Sequence, residues 1–358
     1  MPTTAIIHAF NLSRYRIKLN PALAVGQQRI NQRHGLIVTL TVNQQGTLST
    51  QYVEIAPLSG LDQHGQAISG FSPESLAQVT TALSAQLPTL LGQSVSTLLD
   101  LADSSPFASV QFGYSLLHAK LTTRFNQGLL EQRHVPLVHD AMDKQLVSQK
   151  VKAAKDNIIK VKVAQTDIDS EIAFIHHILQ LNPKLRLRLD ANRGFSFEQA
   201  CHFLSCLPKA SIDYIEEPCC QPQDNLDLYN TVKVKYALDE SLLQPDFVFE
   251  AAAGIGALVI KPSLFGSLTK LQQLIEQAQH NGVRCILSSG LESDIGIIDL
   301  KKLSKVLTPD DIPGLDTLAS FEQCLLNEGE LNQALVELIA EQTQPINADS
   351  KTAKEAVL

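Results

Sequence analysis

Charged residues recur through the middle of this chain at the ends of short apolar runs, and their spacing narrows the folds open to it. Lys162 closes Ile158-Ile159-Lys160-Val161-Lys162, Asp190 closes Leu185-Arg186-Leu187-Arg188-Leu189-Asp190, and Glu216 closes Ile212-Asp213-Tyr214-Ile215-Glu216. Asp239 follows Tyr236-Ala237-Leu238, and Lys261 closes Ala257-Leu258-Val259-Ile260-Lys261. The steps between these charges are 28, 26, 23 and 22 residues, room for one strand, one helix and two loops. A strand–helix unit repeated at this period predicts a (β/α) barrel. The C-terminal ends of barrel strands open on one face, where such folds carry their chemistry. Sequential strands are neighbours, so three acids would stand side by side with a lysine on each flank. Three carboxylates converging in a cavity repel one another unless a cation joins them. Oxygen-only ligands suit Mg²⁺ better than zinc or copper.

A chain of 358 residues holds one barrel and a smaller domain. The expected division is an N-terminal α+β domain over 1–105, the barrel over 106–320, and a helical, polar tail over 321–358 that frays from 347 onward. In the first part, Gly35 to Val42 and Leu48 to Ile55 read as two strands of a hairpin turning at Asn43 to Gly46. Ser72-Pro73-Glu74-Ser75 reads as a helix start with proline at the first position, the helix running to about Leu91. Pro136-Leu137-Val138 reads as the first barrel strand, and Asp311 to Asp316 as a weaker candidate for the last.

A net charge of −8 and a pI of about 5.7 argue against nucleic acid or an anionic membrane as the main partner. Met1 to Phe10 has no secretory signal pattern. No apolar run reaches the roughly 18 residues of a membrane span. Six cysteines in a chain of this length do not make a disulfide framework, so reduced thiols and a cytoplasmic setting are expected. The sequence carries no sign of an oligomeric state.

Lys160 and Lys162 are two apart on a strand and share a face. Two ammonium groups so close disfavour each other's charge, which predicts a depressed pKa and a base near neutral pH. The plain alternative is an edge strand with two solvated lysines. For Asp190, Glu216 or Asp239 taken singly, the plain alternative is a helix N-cap. Three such caps would not explain the lysine-bearing strands on either side. Lys261 is expected to face the first pair across the mouth, the alternative being a snorkelling strand-end lysine. Ser288-Ser289-Gly290 after the seventh strand reads as an anion site or an ordinary polar loop. Gly254-Ile255-Gly256 precedes a strand, the wrong order for a dinucleotide loop. His176, His177, Cys201 and His202 fall on predicted helices away from the strand ends.

With these residues placed, the chain resembles the enolase superfamily, in its muconate-lactonizing subgroup. The strings that carry the likeness are Lys160-Val161-Lys162-Val163, Leu187 to Asn192, Ile215 to Cys219, Asp239 to Leu242, Val259 to Pro262, Ser288 to Ser293 and Ile312 to Thr317. Glu54 to Gly60 resembles the active-site turn of that family's capping domain. Ala164 departs from the pattern, standing where glycine is common. The resemblance implies an α/β fold: a modified TIM (β/α)7β barrel with an N-terminal α+β capping domain. It implies that Asp190, Glu216 and Asp239 bind one Mg²⁺, with Mn²⁺ a possible substitute. It further implies that Lys162 takes the proton α to a carboxylate and that Lys261 helps stabilise the enediolate. A lysine base working beside Mg²⁺ on such an intermediate is this superfamily's established chemistry. Lys162 would then return its proton to a leaving hydroxide in a syn elimination, on a small-molecule carboxylate. Arg188 is expected to orient Lys160 or the substrate, Asn192 to support the site, and Ser288, Ser289 and Gly290 to contact substrate. Competing readings are a two-base racemase or epimerase on the same site, a Schiff-base lyase using Lys261, and a non-catalytic barrel module.

Overall fold

The computed structural model describes residues 5–25, 28–68, 72–122, 125 and 133–344. An antiparallel sheet begins the chain, formed by β1 (Ile6–Val25), β2 (Gln28–Gln44), β3 (Thr47–Ile55) and β4 (Gly60–Asp62). Gln45 and Gly46 turn β2 into β3 at φ 54 and 85, the paired positive φ that tight hairpins require. In β2, Leu36, Val38, Leu40 and Val42 share one buried face that packs on helices, while on the other face Thr39 and Thr41 are half-buried and Ile37 joins a separate cluster with Tyr15. Ala24 and Val25 pair with Arg29 and Gln28 at the end of β1 and the start of β2, with residues 26–27 outside the described set.

Three helices cover this sheet: α1 (Leu76–Gln86), α2 (Thr97–Ser104) and α3 (Ala108–Thr122). α1 starts three residues later than the Ser72-Pro73 signal. Ser75 and Gln78 form a reciprocal capping box, while the Ser72 hydroxyl accepts from Leu58 N–H at 2.8 Å. Two good caps lie in one short stretch, and the one with a glutamine at the third position holds the helix.

Seven strands then pair in parallel, in chain order: β5 (Leu137–Val138), β6 (Ile158–Lys162), β7 (Arg186–Asp190), β8 (Ile212–Glu216), β9 (Tyr236–Leu238), β10 (Ile255–Ile260) and β11 (Arg284–Leu287). The strands fall where the charge period placed them. Between and after them run α4 (Lys144–Ala153), α5 (Ile168–Leu181), α6 (Phe197–Ser205), α7 (Asp224–Val232), α8 (Pro262–Phe265), α9 (Leu268–His280) and α10 (Asp294–Leu307). Gly314 bridges Ser288 in parallel, and Pro313 carbonyl accepts from Val135 N–H at 3.0 Å, so residues 313–314 close the ring between β11 and β5. This is the modified barrel with a capping sheet.

The tail differs from its expected helix. β12 (Leu326–Asn327) and β13 (Glu330–Leu331) form a small hairpin, and β14 (Val336–Thr343) pairs antiparallel with β1, Phe10 opposite Gln342. Leu335 to Gln342 has helix-forming composition, but β1 offers an open row of backbone partners, and pairing overrides propensity. The predicted fraying of 347–358 lies outside the described residues.

Cap and barrel share one apolar core, in which Leu36, Val53 and Val79 join Leu258, Leu271 and Leu300. A polar clasp adds to it. Arg33, with no exposure, donates to the carbonyls of Ala56, Pro57 and Ser59 in the cap and of Leu291 in the barrel. Buried Glu54 accepts from the Ser293 hydroxyl and from the Ser293 and Gly296 N–H groups at the start of α10, and from the Tyr15 hydroxyl. A carboxylate suits that helix N-terminus. The cap turn around Pro57 is thereby fixed over the loop that follows β11.

Candidate active site

Strand register gathers the charges. Lys162 lies opposite Asp190, and Asp190 opposite Glu216, across adjacent parallel strands. One Asp190 oxygen accepts from Lys160 at 2.8 Å and Lys162 at 2.7 Å. Lys160 also donates to Glu216 at 2.6 Å. On the other flank, Lys261 donates to both Asp239 oxygens at 2.5 Å. Asn192 accepts from Lys162 and donates to Glu240 at 2.8 Å. The sequence reading therefore brought together Lys160, Lys162, Asp190, Asn192, Glu216, Asp239 and Lys261.

The electrostatics correct one expectation. Burial works to lower the Lys160 pKa, but the charges of Asp190, Glu216 and Asp239 outweigh it and hold the ammonium well above the usual lysine range. The acids, not the neighbouring lysine, set its charge. Burial also opposes ionisation of Asp190, yet Lys160 and Lys162 keep that carboxyl well below the usual range. Glu216 goes the other way: burial pushes it up to about 7 against Lys160, with Asp190 and Asp239 adding to the rise. The two carboxyls share Lys160, but Asp190 has a second lysine and Glu216 has none. Lys261 is lowered by burial and raised further by Asp239 and Glu240, ending above the usual range.

Four acids, counting Glu240, meet three lysines here, and the Asp190 Oδ1 and Glu240 Oε2 atoms are buried without a hydrogen-bond partner. A buried surplus of carboxylate oxygen fits a hard divalent cation. With the lysines holding the acids in pairs, the described residues present no ready-made cluster of three metal-ligating side chains. The donor set fits Mg²⁺; the side-chain positions are those of lysine-paired acids.

Two expectations change. Arg188 is buried two residues below Asp190, where it donates to Ile312 carbonyl at 2.7 Å and pairs with Asp213 at 3.3 Å and Asp311 at 3.4 Å. Period 2 gave its face correctly but not its depth, and it braces the barrel floor instead of orienting Lys160. In the Ser288–Gly290 loop, the Ser289 hydroxyl and Gly290 N–H both donate to Glu292, at 2.8 and 2.7 Å, and Ser288 donates to Gly314 carbonyl at 3.2 Å. The donors expected for a substrate anion are occupied, those of Ser289 and Gly290 by a carboxylate of the same loop and that of Ser288 by a backbone carbonyl.

The sequence reading missed the groups that shape these loops. Glu217, with no exposure, accepts from the Asp239 and Ser241 N–H groups at 3.1 and 2.9 Å. Glu171 accepts from Ala164, Gln165 and Thr166 N–H after β6. The adjacent Glu216-Glu217 pair was the available signal, since one of two successive acids must leave the strand face.

Comparison with known proteins follows the same outline. Residues 143–300 match an enolase C-terminal domain-like family model, and residues 7–121 match the MenC N-terminal domain. An o-succinylbenzoate synthase of Pectobacterium atrosepticum is 32% identical over 335 residues, 92% of this chain and 96% of that protein. The crystal structure of o-succinylbenzoate synthase from Thermosynechococcus elongatus, complexed with Mg in the active site, is similar with a TM-score of 0.67 at 25% identity, covering 89% of this chain and 95% of that one. The L-Ala-D/L-Glu epimerase of Bacillus subtilis shares the fold, with a TM-score of 0.72 at 16% identity over 94% of this chain and 97% of that one.

Proposed function

The chain belongs to the o-succinylbenzoate synthases of the enolase superfamily, and from that premise we infer the division of labour in its site. The enzyme is a Mg²⁺-dependent hydro-lyase that dehydrates 2-succinyl-6-hydroxy-2,4-cyclohexadiene-1-carboxylate to o-succinylbenzoate, a step of menaquinone biosynthesis. The observation that carries the assignment of roles is the in-register row of Lys162, Asp190 and Glu216, closed on the far flank by Asp239 and Lys261.

Asp190, Glu216 and Asp239 would hold the metal, which when bound supplies Lewis-acid charge to a carboxylate gaining a second negative charge. Lys162, as the free amine, removes the proton α to the substrate carboxylate. Asn192 fixes the direction of that amine. The electron pair left on carbon moves onto the carboxylate, then returns to form the ring double bond as the C–O bond to the β-hydroxyl breaks. Lys162 delivers the same proton to the departing hydroxide, water leaves, and the ring becomes aromatic. Lys261 stays protonated, which its Asp239 and Glu240 neighbours favour, and places a fixed positive charge beside the developing anion. A cytoplasmic setting belongs to this reading and is supported by six cysteines without a disulfide among them. Among the described residues no helix is long and apolar enough to cross a membrane.

The lysines on both flanks also favour a second reading, a racemase of N-succinylamino acids or an epimerase of dipeptides with each lysine serving one enantiomer. Solvent deuterium exchange separates the two. Under dehydration, Lys162→Ala loses all exchange of the α-proton and Lys261→Arg keeps part of the activity. Exchange of one enantiomer of an N-succinylamino acid surviving in each single mutant would establish the racemase instead. Asp190→Asn, Glu216→Gln and Asp239→Asn are each expected to weaken Mg²⁺ binding and abolish turnover. Full dehydration activity in excess EDTA would sink the metal assignment.

A further inference from the structure

The face opposite the mouth carries charge of the reverse sign. Because β7 to β11 are parallel, their N-terminal ends emerge together on the barrel floor. Arg186 and Arg284 begin β7 and β11, Lys209 lies on the turn before β8, and Lys233 and Lys235 precede β9. With Asp213, these five cations line a cavity of about 390 Å³. Asp213 is the one carboxylate among its lining residues, and it is shared: it accepts from Arg284 at 2.9 Å, Arg186 at 3.3 Å and Arg188 at 3.3 Å. Lys209, Lys233 and Lys235 make no ion pair with a described residue. Asp311, 3.6 Å from Arg284, lines a neighbouring floor cavity with Lys301.

The whole chain is acidic, at −8, so this is not the surface of a generally basic protein. Like charges around a concavity repel one another, and low-dielectric walls focus their field into it. Three ammonium groups without an ion-pair partner among the described residues, and three guanidinium groups sharing Asp213 and Asp311, leave an unmatched charge of several units. The cavity lies at the small end of the roughly 300–1,000 Å³ typical of ligand sites. We propose that this floor cavity binds a compact polyanion of charge −3 or more, a diphosphate or a tricarboxylate, independently of the reaction at the mouth. Guanidinium forks engage such oxyanions in pairs of hydrogen bonds, and lysines add adjustable point charges.

The test is calorimetric titration of the full-length enzyme in Mg²⁺-free buffer with inorganic pyrophosphate and, separately, with citrate, because bound Mg²⁺ would cancel most of either anion's charge. One-site binding that weakens as NaCl is raised is expected. The double variant Lys209→Glu/Lys235→Glu should weaken it by about tenfold or more while dehydrating at the native rate, with Lys209→Gln/Lys235→Gln intermediate. Lys162→Ala at the mouth should bind the anion as the native enzyme does. Tighter pyrophosphate than citrate identifies phosphate as the recognised group, and the reverse order identifies carboxylate. The proposal is overturned by absence of saturable binding for both anions, by equal affinity in the charge-reversed variant, or by loss of binding in Lys162→Ala.

Discussion

Ala164, directly beyond the strand that carries the proposed base, adopts φ 59. Its N–H donates to Glu171 at 2.7 Å, which holds it there. An L-residue in this region costs about 1–2 kcal/mol, whereas glycine adopts it freely but gives up about 0.5–1 kcal/mol of chain entropy. Ala164→Gly should therefore raise stability by roughly 0.5–1 kcal/mol. A urea midpoint that is unchanged or lower would show that the position carries no strain. His34 offers a second test at this scale. Burial, then the positive charges of Arg16, Arg33 and Arg14, push its pKa down to about 4. An unfolded imidazole titrates near ~6.5. Between those values the unfolded chain binds a proton that the folded chain refuses, so stability should fall as pH drops through this window and level off below about 4. His118, His134 and His139 shift in the same direction and leave some slope of their own. His34→Gln should flatten the dependence of melting temperature on pH over the window; a slope equal to the parent's would clear His34 of the effect.

At the level of strands and loops, what the sequence revealed was what repeats. The five central barrel strands, β6 to β10, end on or just before a charge at a steady interval, so those strands, the mouth and the seven residues gathered there were legible. The loop supports were not, because their partners lie at irregular distances: Glu171 serves its own loop, Glu292 ties Ser263 to Ser289, and Glu217 reaches the loop after the next strand. Arg188 was misjudged because alternation along a strand gives a direction and no depth. Glu217 is the most testable support. It holds the Asp239 and Ser241 N–H groups and pairs with Arg193 at 3.2 Å. Groups that orient metal ligands are commonly worth about 10–100-fold in affinity or activity. Glu217→Ala should raise the Mg²⁺ concentration for half-maximal activity by about tenfold or more. An unchanged Mg²⁺ requirement would reduce Glu217 to a support of loop stability alone.

Across the whole molecule, the tail is where local preference and global structure part. β14 looks helical by composition, and it is mostly exposed along its length. What makes it a strand is the distant edge of β1, which no local window contains. Removing residues 336–358 should bare that edge, lower the melting temperature and promote aggregation. A separate peptide of that segment should reverse both effects, and an unaltered melting temperature without it would deny the pairing any weight. The pairing also bears on the order in which the molecule is made. Ala9 faces Thr343, so β1, made before the barrel, has as its neighbour a strand made only after it. The first sheet is left incomplete for the entire time the barrel is being synthesised, and a circularly permuted gene that places 336–344 ahead of β1 would let the cap finish before the barrel begins.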